Sequence, residues 1–155
     1  HPYIGMDAPF LYRTKGCDSM VQSIMRDIEF LKKPSAPACP SDAPVADDLC
    51  DTLRAHIEGC VGMAANMIGA SVRIIVFLDN SQICEMFNPR ILKRDGAYEA
   101  EEGCLSLTGT RKAKRYRTIK VQWQTRDGKL RVKNYSGFTA QIIQHEIDHL
   151  EGIII

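Results

Sequence analysis

Residues 145–149 read His-Glu-Ile-Asp-His. On a helix, side chains four residues apart share one face about 6 Å apart, so two imidazoles at this spacing can grip one metal ion. Glu146 projects beside them, placed to take a proton from water activated by that ion. The bland alternative is a solvated helix with two incidental histidines. The whole chain has four histidines, two of them here, and the flanking residues carry a helical pattern, which favours the metal reading.

Such a site needs a third protein ligand and leaves a fourth position open. Zinc proteases of the thermolysin type take it from a glutamate well downstream, but six residues follow His149. In the pattern H-E-x-x-H-x-x-G-x-x-H, Gly152 fits the glycine, whereas Ile155 stands where the third histidine is required. The ligand is therefore expected upstream. His1 and His56 are candidates, although His56 lies in an amphipathic segment and reads as a surface residue. Better placed is Cys104, within Glu101-Glu102-Gly103-Cys104-Leu105-Ser106. Gly103 permits a tight turn that brings the thiolate and the next backbone N–H inward. A thiolate with two imidazoles suits a late divalent metal without choosing iron over zinc.

The elements that must position these residues follow from pattern. Val72–Leu78 is a β-branched run and reads as a buried strand, with Ile83–Phe87 as its partner across an Asp79-Asn80 turn. From Ile119 apolar and polar residues alternate to Gln124; Asp127-Gly128 then marks a hairpin, and Leu130 and Val132 begin the return strand. Ser136 can cap a last helix running to about Leu150. Before these, four prolines fall between Pro34 and Pro44, which reads as a loop. A helix is expected after it, starting near Asp47 or Asp48, carrying Leu49, Leu53 and Ile57, and ending at Gly59. Strands in the middle with helices at the ends give an α+β class.

Glu102-Gly103-Cys104-Leu105-Ser106, followed about forty residues later by Gln144-His145-Glu146-Ile147-Asp148-His149, resembles the peptide deformylase family. That family has three signature segments: G-x-G-x-A-A-x-Q, E-G-C-x-S and H-E-x-D-H. The second and third are intact, in order and at a suitable separation. Similarity runs from about Asp27 to Ile155, with Asn88-Pro89 and Asp127-Gly128 also in matching places. The resemblance, to a short and divergent member, implies mixed or antiparallel strands around a central metal-binding helix.

It further implies Cys104, His145 and His149 as ligands of one divalent ion, with Fe2+ the usual metal and Zn2+ or Ni2+ able to substitute. Thiolate-bound iron would make the site oxygen-sensitive. Glu146 would be the general acid/base, and the backbone N–H of Leu105 would help hold a tetrahedral oxyanion. Arg111 matches a position associated with the peptide's carbonyls, and Gly62 would offer backbone to an extended substrate added as a strand. The substrate would be N-formylmethionyl peptides, met in the bacterial cytoplasm with transient ribosome contact. No membrane or specific DNA partner is implied, and a monomer is expected.

The first segment departs from the family. It reads Cys60-Val61-Gly62-Met63-Ala64-Ala65-Asn66-Met67, with Cys60 at the first glycine position and Met67 at the glutamine position. In the family that glutamine donates a hydrogen bond to the developing oxyanion, which Met67 cannot do. Losing such a donor typically costs about 3 kcal/mol, roughly a hundredfold in rate. Gln141 falls where the helix helps line the methionine pocket, a place usually apolar. Two further readings follow: a metalloprotein with weak or altered amidase specificity, and a non-catalytic binder of peptide amino-termini. Glu146 argues against the binder, because binding alone does not need it.

Composition narrows the remaining classes. The 155 residues fit one domain, and 45% hydrophobic with 25% charged residues is average for a globular chain. A net charge of +1 argues against a dedicated nucleic-acid binder. No apolar run approaches the ~20 residues that span a bilayer. Arg111–Lys120 holds six basic residues and no acids, and reads as a solvated strand face, with contact to ribosomal RNA as the functional alternative. The six cysteines form no C-x-x-C pair. Cys50 and Cys84 are expected in the core, Cys39 in the proline loop, and Cys60 as space filling or a reactive thiol. Residues 1–19, which include Cys17, show no clear period and are expected to be a vector-derived or disordered leader, leaving 20–155 as one catalytic domain.

Overall fold

The computed structural model describes residues 20–155, so the leader expected over 1–19 lies outside the described residues. Five strands run in sequence order through one sheet: β1 (Gly62–Ala64), β2 (Ile74–Asp79), β3 (Gln82–Gly103), β4 (Thr110–Gln124) and β5 (Leu130–Ser136). All neighbouring pairs are antiparallel. A parallel contact occurs as one isolated bridge, Ala36 to Val72. The helices are α1 (Ile28–Leu31), α2 (Ala43–Ala55) and α3 (Gly137–Leu150).

The continuous apolar run in β2 is explained by burial on both faces. Ile74 and Val76 pack with Val45, Leu49 and Leu53 of α2, whereas Ile75 and Phe77 pack with Ala140, Ile143 and Ile147 of α3. A strand covered on one side alone would alternate. The link from β2 to β3 is a two-residue loop, Asn80-Ser81, in which both residues have positive φ (48° and 73°). This is the hairpin geometry whose twist matches the strands it joins.

Two expectations needed correction. The first long helix begins at Ala43, before Asp47, because Pro44 occupies its first turn, where a missing N–H costs nothing. It ends at Ala55, so Ile57 lies beyond it and is exposed. Asp48, instead of opening the helix, is buried within it and accepts from Met20 N (2.8 Å) and Gln22 Nε2 (3.0 Å), tying down the segment that precedes α1.

The second correction concerns strand length. β3 continues sixteen residues past Phe87 to Gly103, and β4 begins at Thr110, nine residues before Ile119. Together they form a long hairpin arm whose side chains are mostly exposed, so neither face shows the apolar alternation that marks a strand. Asn88 (φ 52°) and a register shift bend β3 at the base of this arm. There the Asn88 side chain accepts from Ala38 N (2.7 Å) and donates to Ala38 O (2.9 Å).

α3 lies across the sheet face and is buried over nearly its whole length after Thr139. Ser136 stands at its N-cap position in extended backbone, though its side chain makes no capping hydrogen bond. Gln144, His145, Glu146 and His149 are buried polar residues in this helix. Such a concentration inside a small domain demands partners, because an unpaired buried polar group costs free energy.

Candidate active site

His145 and His149 lie one turn apart on α3 with their Nε2 atoms 3.2 Å from each other. Cys104 is the first residue past β3, in the turn that joins β3 to β4. Its Sγ is 3.3 Å from His149 Nε2. The three ligand atoms lie within 4.8 Å of one another, a convergence of donors able to hold one metal ion. The turn is set locally: Leu107 N donates to Cys104 O (3.1 Å), and Gly109 takes φ +76°, open to glycine at little cost. His56 is elsewhere, its Nδ1 2.9 Å from Thr52 O at the end of α2.

The orientation of His145 is fixed by a buried carboxylate. Glu102 Oε1 lies 2.8 Å from His145 Nδ1. An ionised carboxylate can only accept, so Nδ1 carries a proton and Nε2 is the nitrogen that faces Cys104 and His149. Burial lowers this imidazole, but its hydrogen bonds to Cys104 and Glu102 outweigh that and hold it up at about 10, so a metal ion there would take the place of the Nε2 proton. Glu102 in turn accepts from Arg115 Nη2 (2.7 Å) and Nε (3.0 Å), and from Gln141 Nε2 (2.9 Å). Arg115 Nη1 also donates to Asp148 Oδ2 at 2.7 Å. Burial pushes the Glu102 carboxyl up, but the hydrogen bonds from His145, Arg115 and Gln141 outweigh it and hold the group down at about 2. Burial pulls His149 down to about 3, which keeps its imidazole neutral as a ligand must be.

Glu146 projects from α3 into the same region. Its Oε1 is buried with no hydrogen-bond partner among the described residues, and burial raises its carboxyl to about 7. A carboxyl with that affinity for protons can both take and return one near neutral pH. Gly62 in β1 faces it closely. A Cβ there would lie 2.6 Å from Ile142 Cγ2 and 2.9 Å from Glu146 Oε2, so β1 can approach α3 this closely only with glycine. Among the described residues β1 is also a sheet edge, pairing with β2 alone.

These groups line a cavity of about 250 Å³, with Cys60, Gly62, Met67 and Gln141 on its walls beside Glu102, Cys104, Leu105, His145 and Glu146. Phe138, 63% exposed, stands at its margin. Met67 is buried, and its Sδ accepts from Ala64 N at 3.4 Å. Asn66 turns away from the cavity and donates to His149 O at 2.9 Å. Arg111 is not brought to the cavity; its Nη1 reaches Thr108 O at 3.5 Å. Residues 25 and 26 strap both walls, with Met25 N donating to Met67 O (2.7 Å) and Arg26 Nη1 to Leu105 O (3.2 Å).

Sequence reasoning missed Arg115. Within Arg111–Lys120, Lys112, Lys114, Arg117 and Lys120 are exposed as expected, but Arg115 is 3% exposed and paired inside. A signal was present in Ala113, two residues away and on the same strand face, which is also buried. Cys60 is half-buried and donates to Gly62 O (3.1 Å); burial pushes its thiol up to about 12, which favours the protonated, space-filling form over a thiolate. Cys50 and Cys84, expected in the core, are partly buried at its margins.

The donor set fits a late divalent cation. One sulfur and two nitrogens converge beside the cavity, which Cys104 and His145 line; the second ring nitrogen of His145 is held by a carboxylate, while Nδ1 of His149 has no partner among the described residues.

Comparison with known proteins agrees. The sequence profile of the family described as polypeptide deformylase matches residues 22–155. A peptide deformylase of Clostridium beijerinckii is 54% identical over 136 residues, covering 88% of this chain and all of that one. One from Desulfitobacterium hafniense is 36% identical, covering 81% and 85%. The Met-Ala-Ser-bound crystal structure of a class I type b peptide deformylase from Acinetobacter baumannii superposes with a TM-score of 0.80 at 29% identity, covering 88% of this chain and 97% of that one.

Proposed function

This chain belongs to the peptide deformylase family, and on that premise we propose that it hydrolyses the formyl group from N-formylmethionyl peptides, with Cys104, His145 and His149 holding one divalent metal ion. The observation that carries the reading is Glu146 Oε1, a buried carboxylate oxygen without a partner beside three converging ligand atoms. The ion supplies Lewis acidity toward water and the formyl carbonyl.

The chain's own groups do the rest. Glu146 takes a proton from the attacking water as its oxygen bonds to the formyl carbon. The same carboxyl then delivers a proton to the departing amine nitrogen as the C–N bond breaks, giving formate and a free amino-terminus. The backbone N–H of Leu105 donates to the oxyanion. β1 at Gly62 offers a strand edge, held among the described residues by the Cys60 thiol at Gly62 O and Met67 Sδ at Ala64 N. An extended peptide can add along it in their place, and the walls around Met67 and Gln141 take the methionine side chain. Fe2+ is the ion expected from the family resemblance, with Zn2+ or Ni2+ as substitutes. Lys112, Lys114, Arg117 and Lys120 give the arm a cationic surface suited to transient contact with ribosomal RNA in the cytoplasm.

A weaker or altered amidase is favoured by one observation: Met67 presents a thioether where the family places a donor. The test is formate release from formyl-Met-Ala by anaerobically purified protein. Glu146→Ala is expected to lower turnover by about 10²–10⁴-fold while keeping one metal per chain. Cys104→Ser should lose the metal. A wild-type protein that binds no metal, or that turns over equally after Glu146→Ala, would overturn the reading.

A further inference from the structure

Gln141 lies on α3 one turn before His145, and its amide is engaged at both ends. The hydroxyl of Tyr98, in the exposed arm of β3, donates to Gln141 Oε1 at 3.3 Å. Gln141 Nε2 donates to Glu102 Oε2 at 2.9 Å, and Glu102 Oε1 meets His145 Nδ1 at 2.8 Å. A continuous chain of hydrogen bonds thus runs from the surface arm to an imidazole of the candidate metal centre. Arg115 grips the same carboxylate through Nε and Nη2. Gln141 gives it a second donor, on the helix that carries the histidines.

We propose that Gln141 is a positioning residue, which holds the Glu102 carboxylate in register with His145 and couples the Tyr98 arm to the metal centre. The inference rests on the reading of Cys104, His145 and His149 as ligands. A ligating imidazole owes its tautomer and part of its basicity to its carboxylate partner, and groups that orient such partners typically affect metal affinity 10–100-fold. The amide that lines the cavity at Gln141 is therefore committed to the wall and not available to substrate.

The test is titration of the metal-free protein with Co²⁺, followed by its d–d absorption and by competition with a chelator. Gln141→Leu should raise the dissociation constant about tenfold and shift the absorption bands. Gln141→Glu, nearly identical in shape but unable to donate when ionised, should weaken binding at least as much, which separates hydrogen bonding from packing. Tyr98→Phe should weaken it a few-fold. Wild-type affinity and spectrum in both Gln141 variants would overturn the inference, and wild-type behaviour of Tyr98→Phe alone would overturn the coupling to the arm. Failure of the wild-type protein to bind Co²⁺ would overturn the ligand assignment itself, and this inference with it.

Discussion

On the α3 side of the cavity, Glu102 meets His145 and accepts from Arg115 and Gln141, and Asp148 accepts from Arg115, in charge-assisted hydrogen bonds of 2.7–3.0 Å. Across from it, the Cys60–Met67 segment presents two sulfur side chains satisfied by backbone, Cys60 at Gly62 O and Met67 at Ala64 N. The first wall carries Glu102 and Asp148 of the two intact motifs, with Gln141 as its one departure, and the second carries the altered positions Cys60 and Met67. A buried carboxylate–guanidinium pair cannot lose a member without stranding the other, so change there is costly. A thioether replacing an amide strands nothing, because one backbone N–H still finds an acceptor. The departures at Cys60, Met67 and Gln141 thus all line the cavity, while Glu102 and Asp148 of the intact motifs hold Arg115 behind the candidate ligands.

Three variants break or sharpen that contrast. Arg115→Met leaves Glu102 buried without its guanidinium. It should destabilise the fold by about 3–5 kcal/mol in urea unfolding, and a loss of less than about 1 kcal/mol would show that the network is not what constrains this wall. Met67→Gln restores a donor to the permissive wall and should raise turnover of formyl-Met-Ala up to roughly a hundredfold. An unchanged rate would mean that another group already serves the oxyanion. Cys60→Ser keeps a donor to Gly62 O and should leave stability and turnover within a few-fold of wild type. A large loss there would make the second wall as constrained as the first.

What could be read from sequence follows the range of the interactions. The His145–His149 pair was legible because one turn of helix fixes it. Cys104 was legible from its glycine and its motif. Arg115 and Tyr98 were not, because which of the six cations turns inward depends on the register of β3 against β4, where Tyr98 pairs with Arg115 and Glu102 with Arg111. No local pattern encodes that register. The arm itself was hidden for a related reason: its backbone is satisfied across the hairpin while its side chains face solvent, so hydrophobic periodicity never develops. The early start of α2 was masked by Pro44, a residue that ends helices in most positions and is tolerated in the first turn.

The Glu102–Arg115 pair spans thirteen residues within one hairpin, whereas Cys104 and His149 are forty-five apart and meet when α3 docks across the sheet. Short-range contacts close with less loss of chain entropy, so the hairpin can present its carboxylate before the helix arrives. Completing the metal centre is then coupled to the docking of α3. An ion that binds the docked form alone raises the free energy of opening α3 by RT ln(1 + [M]/Kd). Amide exchange in α3 should therefore slow as metal is added, while the outer arm of β3 and β4 continues to exchange at its own pace.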